Sequence, residues 1–136
     1  MGAISLKCYV STPLLGQFRD VRTSIATAIE EAGLLPVRIE ELGATALSVG
    51  ESVQRLLQDA DFVVADLTGG NPNVVYEVGL CHGLRKPVLL LTQDVASIPA
   101  ALHDQLILRY DVNDLRSLRE KIVSWFARMA SRGASR

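Results

Sequence analysis

The sequence predicts a single α/β domain with a flavodoxin-like, doubly wound sheet of about five parallel strands in the order 2-1-3-4-5 and helices on both faces. Short apolar runs alternate with longer amphipathic segments, which is the pattern of βαβ units; this pattern is also compatible with other strand orders. Hydrophobic residues make up 49% of the chain but aromatic residues only 5%, so aliphatic side chains must build the core, as in strands buried on both faces. The length of 136 residues fits one domain spanning residues 1–136.

Short apolar runs are predicted to form the strands. They span residues 4–10, 34–39, 62–66, 87–91 and 105–110. The run at 87–91 is apolar throughout, which is typical of a strand covered on both sides.

Longer segments with apolar residues at helical spacing are predicted to form the helices. They span residues 17–32, 48–60, 71–84 and 114–129. Gly33 stands where a helix C-cap is expected, and Ser48 with Glu51 fits a capping box. Asn71 and Pro72 mark an N-cap followed by the first helical position. Residues 92–104 are the least regular segment, and their sequence is compatible with either a short helix near residue 100 or a mobile rim loop.

The composition argues against several functional classes. The net charge is −1 with no basic run, so there is no electrostatic footprint for a nucleic acid. No apolar stretch approaches the roughly 20 residues of a membrane helix, and the N-terminus has no signal-peptide pattern. Cys8 and Cys81 fit buried small residues in a reducing compartment, so we expect a cytoplasmic protein. With no metal-ligand spacing, Walker motif or dinucleotide fingerprint, we expect neither metal nor cofactor.

The predicted strand order places a ligand site between the first and third strands. Sheets of this type bind ligands beyond the carboxyl ends of their strands, at the point where the order reverses. The loops at 11–16 and 67–73 meet there, and Asp66 ends the third strand beside them. Glycines allow a backbone to approach a ligand closely, and a helix N-terminus offers hydrogen-bond donors. The candidate ligand-binding residues in these loops are Ser11, Thr12, Gly69, Gly70, Asn71 and Asn73.

Two carboxylates carry the candidate chemistry. On a helical wheel Glu77 flanks the apolar face of the third helix, so we expect its side chain to be partly buried. Burial raises a carboxylate pKa and nearby helix N–H groups lower it, and the sequence does not decide between these effects. Asp66 fits a catalytic carboxylate, but it equally fits a cap for the turn that follows its strand.

Three segments resemble the nucleoside 2-deoxyribosyltransferase-like superfamily. Residues 60–68 read Ala-Asp-Phe-Val-Val-Ala-Asp-Leu-Thr, residues 71–80 read Asn-Pro-Asn-Val-Val-Tyr-Glu-Val-Gly-Leu, and residues 86–91 read Lys-Pro-Val-Leu-Leu-Leu. They are similar to that family's strand-end Asp, to its helical Glu-x-Gly and to the Lys-Pro of its Gly-Lys-Pro before the next strand, with Arg85 in place of the glycine. Residues 8–13, Cys-Tyr-Val-Ser-Thr-Pro, are similar to its first strand and loop. The second segment is most similar to the TIR-like, nucleotide-binding branch.

The resemblance implies specific roles. Glu77 would be the nucleophile that attacks the sugar in N-glycosidic cleavage, and Asp66 would assist the leaving base. Tyr9 and Ser11 would lie beside the sugar or its phosphate. The implied ligand is a nucleoside, a nucleotide or an NAD-type molecule, and the implied assembly is a homo-oligomer.

Alternatives remain at this stage. Hydrolysis, transfer and nucleotide binding without turnover, as in a sensor or interaction module, all fit the motif. A flavodoxin-like receiver or electron carrier fits less well, because the loop after the first strand has no acidic cluster and aromatic residues are few.

Overall fold

The computed structural model describes residues 5–38 and 49–134. The strands are β1 (Lys7–Ser11), β2 (Leu35–Val37), β3 (Phe62–Asp66), β4 (Val88–Thr92) and β5 (Ile107–Arg109). The α-helices are α1 (Arg19–Glu31), α2 (Val49–Asp59), α3 (Pro72–Gly83) and α4 (Leu115–Ala134). All strand pairs are parallel and the order is β2-β1-β3-β4-β5, which confirms the predicted fold class and order.

The helices cover the sheet in two layers, and strand alternation assigns each side chain to one of them. On one face, Val10 and Val64 pack with side chains of α1 and α4. On the other face, Tyr9 and Val63 pack with α2 and with Cys81 of α3, while Ala65 packs with Val74 and Val78 of the same helix. The parity of a strand residue therefore tells which helical layer it faces.

Several boundaries differ from the predicted ones because a strand lasts only as long as its neighbours pair with it. β1 runs to Ser11, which is in register with Ala65 of β3, and β4 runs to Thr92, in register with Arg109 of β5. β5 has a neighbour on one side only and is shorter than predicted. Residues 16–18 form a 3₁₀ turn before α1, and α4 continues past residue 129 to residue 134.

Most predicted caps are found. Gly33 has φ +89°, and Leu34 donates its N–H to the carbonyl of Ile29, closing the end of α1. The Asn71 side chain accepts from the N–H groups of Asn73 and Val74 at the start of α3. Residues 1–4, 39 and 48 and the Glu51 side chain, which carry the rest of the predicted boundaries and the capping box, lie outside the described part.

Residues 92–104 carry two short 3₁₀ turns, Val95–Ser97 and Ala100–Leu102, the second at the predicted position. Over the described residues, no helix has the length and apolar character needed to span a bilayer.

Candidate functional site

Glu77 lies on the second turn of α3, half-buried against the end of β1. The Tyr9 hydroxyl donates a hydrogen bond to its Oε1 at 2.7 Å, and the Ser11 hydroxyl donates to its Oε2 at 3.3 Å. Both donors belong to the face of β1 that packs on α2 and α3, and they are only 1% and 2% exposed. The sequence produces this arrangement because Asn71 and Pro72 fix the start of the helix, which points its apolar side at the sheet and leaves Glu77 at the margin.

The surroundings of Glu77 affect its charge in opposing ways. Burial raises the pKa of the carboxyl group, and the hydrogen bonds from Tyr9 and Ser11 lower it; burial is the larger effect, so the pKa is raised. The neighbouring Cys81 has its thiol pKa raised to about 12 by burial and by the charge of Glu77. That thiol therefore stays protonated at neutral pH, and the thiol form is a poor nucleophile.

Asp66 lies on the other face of the sheet. It has the same parity as Val64, which packs on α1 and α4, and its side chain is fully buried. Its Oδ1 accepts from the N–H of Thr68 at 3.0 Å and from the hydroxyl of Thr68 at 2.6 Å, and its Oδ2 accepts from the hydroxyl of Tyr110. Burial raises the pKa of Asp66 against the opposing effect of these donors. Within the described part of the chain, no hydrogen bond joins it to Glu77.

The two glycines of the 67–73 loop are required by the path of the chain. Gly69 and Gly70 have φ +74° and +62°, a region that favours glycine. A Cβ on Gly70 would lie 2.9 Å from the carbonyl oxygen of Ser97. The absence of a side chain at Gly70 therefore lets its backbone approach the backbone of Ser97. The side-chain oxygen Oδ1 of Asn71 likewise accepts hydrogen bonds within the chain, where it caps α3, while Asn73 is exposed.

Thr12 is a predicted binding residue whose hydroxyl can still form a hydrogen bond. Its side chain is 7% exposed, and its Oγ1 has no hydrogen-bond partner among residues 5–38 and 49–134. A buried hydroxyl without a partner costs free energy, which a ligand atom could recover.

Tyr110 and Gln93 were not predicted as site residues. They lie at or just beyond the ends of β5 and β4, so their position in the strand order was the available signal. Both line a cavity of about 510 Å³ that also includes Arg109, Ser117 and Lys121. None of the residues lining that cavity is a predicted site residue. In the part of the chain that the structure describes, no three His, Cys, Asp or Glu side chains are grouped to hold a metal ion.

Comparison with known proteins gives structural matches only. No protein-family model matches the sequence, and no curated protein matches it either. A 2-deoxyribosyltransferase from Bacillus psychrosaccharolyticus is similar in structure, with a TM-score of 0.65 at 17% identity, covering 80% of this chain and 95% of that one. The TIR domain of the Toll-related receptor TRR-2 from Hydra magnipapillata gives a TM-score of 0.65 at 13% identity, covering 95% and 98%. A prokaryotic SEFIR domain gives a TM-score of 0.66 at 10% sequence identity, covering 90% of this chain and 92% of that one.

These matches confirm the resemblance to deoxyribosyltransferases and TIR domains at the level of the fold. The chain therefore has the α/β fold that 2-deoxyribosyltransferase, TIR and SEFIR structures share.

Proposed function

We propose that this protein cleaves or transfers the N-glycosidic bond of a nucleoside, a nucleotide or an NAD-type substrate, with Glu77 as the nucleophile. The observation that carries the proposal is the pair of hydrogen bonds that the buried hydroxyls of Tyr9 and Ser11 donate to the two carboxylate oxygens of Glu77. This group lies at the junction of β1 and β3, where doubly wound sheets bind their ligands. The shared fold with a 2-deoxyribosyltransferase supports the same class of chemistry.

The arrangement suits attack on a sugar carbon. Cleavage of a C–N glycosidic bond builds positive charge on the sugar, and a fixed carboxylate stabilises that charge or captures it covalently. In the proposed step, Glu77 bonds to the anomeric carbon while the C–N electron pair leaves with the base. Water then releases the sugar in hydrolysis, or a second base releases it in transfer. The hydroxyls of Tyr9 and Ser11 hold the carboxylate in one orientation through both steps.

Attack requires the ionised form of Glu77. Burial raises its pKa, so activity should be present above that pKa and lost as the pH falls through it. The Tyr9 and Ser11 donors counteract burial and extend the active range towards lower pH. The resemblance implies that Tyr9 and Ser11 would lie beside the sugar or its phosphate, and their hydrogen bonds to Glu77 support a second role in orienting the proposed nucleophile.

The test is release of free base. Purified protein is incubated with nucleosides, nucleoside monophosphates and NAD, and the base is followed by chromatography. Glu77→Gln keeps the size of the side chain and one acceptor oxygen but removes its charge, and Tyr76→Phe on an exposed position of the same helix is the matched control. We expect release by the wild type and by Tyr76→Phe, and none by Glu77→Gln. Equal release by all three proteins would refute the assignment.

A second candidate is nucleotide binding without turnover, as in a sensor or interaction module. The unpartnered hydroxyl of Thr12 favours a ligand but does not require a reaction. This candidate predicts saturable binding by both wild type and Glu77→Gln and no base release by either. The proposal otherwise takes the chain to be a single-domain, cytoplasmic homo-oligomer, and sedimentation of the purified protein tests the assembly.

A further inference from the structure

Asp66 belongs to a closed cycle of hydrogen bonds at the carboxyl ends of three neighbouring strands. The Thr68 hydroxyl donates to Asp66 and accepts from the backbone N–H of Gln93 at 2.9 Å. The Gln93 side chain donates to the Tyr110 hydroxyl at 2.9 Å, and that hydroxyl donates to Asp66. The four residues come from the ends of β3, β4 and β5 and from the turn after β3. The cycle therefore fixes that turn to the sheet.

The same turn leads directly to the helix that carries Glu77. Thr68 begins the turn Thr68–Gly70, and Gly70 packs closely on the carbonyl of Ser97. Asn71 follows at once and caps α3. Between Asp66 and the first turn of α3, Leu67, Thr68 and Gly70 each donate a backbone hydrogen bond within the turn or to the sheet. A shift of the turn would be passed to the helix start and so to the position of Glu77.

The surroundings of Asp66 do not suit proton donation to a substrate. A general acid must be within hydrogen-bond reach of the atom that it protonates. The Asp66 side chain is fully buried, both of its oxygens accept hydrogen bonds from Thr68 or Tyr110, and it faces the α1 and α4 layer while Glu77 faces the other.

We propose that Asp66 is a positioning residue and not the proton donor: together with Tyr110 it fixes the Thr68–Gly70 turn and so sets α3 in the place where Glu77 meets Tyr9 and Ser11. This inference rests on the proposed function for its effect on rate. Its effect on the geometry around Glu77 can be measured without any substrate.

The experiment compares Asp66→Asn, Asp66→Ala and Tyr110→Phe with the wild type. Asn keeps an acceptor for Thr68 but cannot act as an acid, and Ala removes the cycle. Phe removes the hydroxyl that donates to Oδ2 of Asp66 and accepts from the Gln93 side chain. Base release gives kcat and KM, and carbon-detected NMR gives the pKa of Glu77 in the free protein. Thermal unfolding shows that each variant is folded, and Tyr110→Phe serves if Asp66→Ala is not.

Positioning predicts that Asp66→Asn keeps kcat within about tenfold of the wild type and leaves the pKa of Glu77 unchanged. Asp66→Ala or Tyr110→Phe should raise the pKa of Glu77, because displacement of α3 weakens the bonds from Tyr9 and Ser11. Loss of a general acid costs about 10²- to 10⁴-fold in rate. Such a loss in Asp66→Asn with an unchanged Glu77 pKa would overturn the proposal, and so would a Glu77 pKa that no variant moves. If the wild type turns over no substrate, the proposed function fails, and the Glu77 titration still decides this inference.

Discussion

The hydrogen bond from Tyr9 to Glu77 gives the sharpest quantitative prediction. Tyr9→Phe removes one oxygen from a buried ring and leaves the carboxylate without its 2.7 Å donor. Hydrogen bonds to charged groups contribute about 1.5–3 kcal/mol. Because Glu77 is only half-buried and keeps its bond from Ser11, we take the lower end, about 1.5 kcal/mol, which corresponds to about a tenfold change in the ionisation equilibrium.

The sign follows from which form is stabilised. The Tyr9 hydroxyl donates to the ionised carboxylate and lowers the Glu77 pKa, so its removal raises a pKa that burial has already raised. The acid limb of the profile of kcat/KM against pH should therefore move to higher pH in Tyr9→Phe. At a pH on that limb the rate should fall about tenfold, and on the plateau it should fall much less.

The assay is base release across a pH series for the wild type, Tyr9→Phe and the control Tyr76→Phe. Tyr76 is 58% exposed on the same helix, so its hydroxyl should leave the profile in place. An acid limb that does not move in Tyr9→Phe, or one that moves equally in Tyr76→Phe, would contradict a role of the Tyr9 hydroxyl in lowering the Glu77 pKa.

Other expectations concern stability and ligand affinity. Burial raises the pKa of Asp66, so the folded state binds that proton more tightly than the unfolded state does. Relative to Asp66→Asn, the wild type should therefore lose stability as the pH rises from about 3.9 to the raised folded-state pKa. Urea unfolding at several pH values measures this difference in stability, and a difference that does not change with pH would contradict the expectation. Gly70→Ala places a side chain at a positive φ and against the Ser97 carbonyl, so it should lower the free energy of unfolding by about 1–3 kcal/mol. Gly79→Ala adds a Cβ in open space on α3 and should not destabilise the protein. Equal effects of the two substitutions in denaturant unfolding would argue against a strained turn. Thr12→Val removes a buried hydroxyl that has no hydrogen-bond partner among the described residues. The substitution should raise the stability of the free protein by about 1 kcal/mol and weaken ligand binding, and calorimetry measures both. Lower stability with unchanged ligand affinity would mean that the hydroxyl contributes to the fold alone.

The sequence predicted well the features that depend on local pattern. The alternation of apolar and amphipathic segments indicated a doubly wound parallel sheet, Pro72 marked Asn71 as the N-cap, and the helical wheel predicted the partial burial of Glu77. Each of these depends on residues that are close together in the chain. Strand ends were predicted less well, because they depend on where neighbouring strands begin and stop.

The parts that could not be predicted depend on distant contacts. Tyr110 reaches Asp66 across 44 positions of the sequence, and no local pattern indicates that pairing. The face that Asp66 occupies follows from strand parity only after the helices are assigned to layers. Gly70 lies close to Ser97, and this contact joins two irregular segments. The sequence predicted the two glycines as ligand-binding residues but did not indicate their role in the turn.

Mass spectrometry of an acid-quenched reaction can detect the proposed bond between Glu77 and the sugar. The α3 peptide is isolated from wild type and from Glu77→Gln after brief reaction with the best substrate of the base-release panel. We expect a mass increase equal to the sugar moiety on Glu77 in the wild type and none in the variant. Free base released while the peptide remains unmodified throughout turnover, or a sugar attached to another residue, would contradict it.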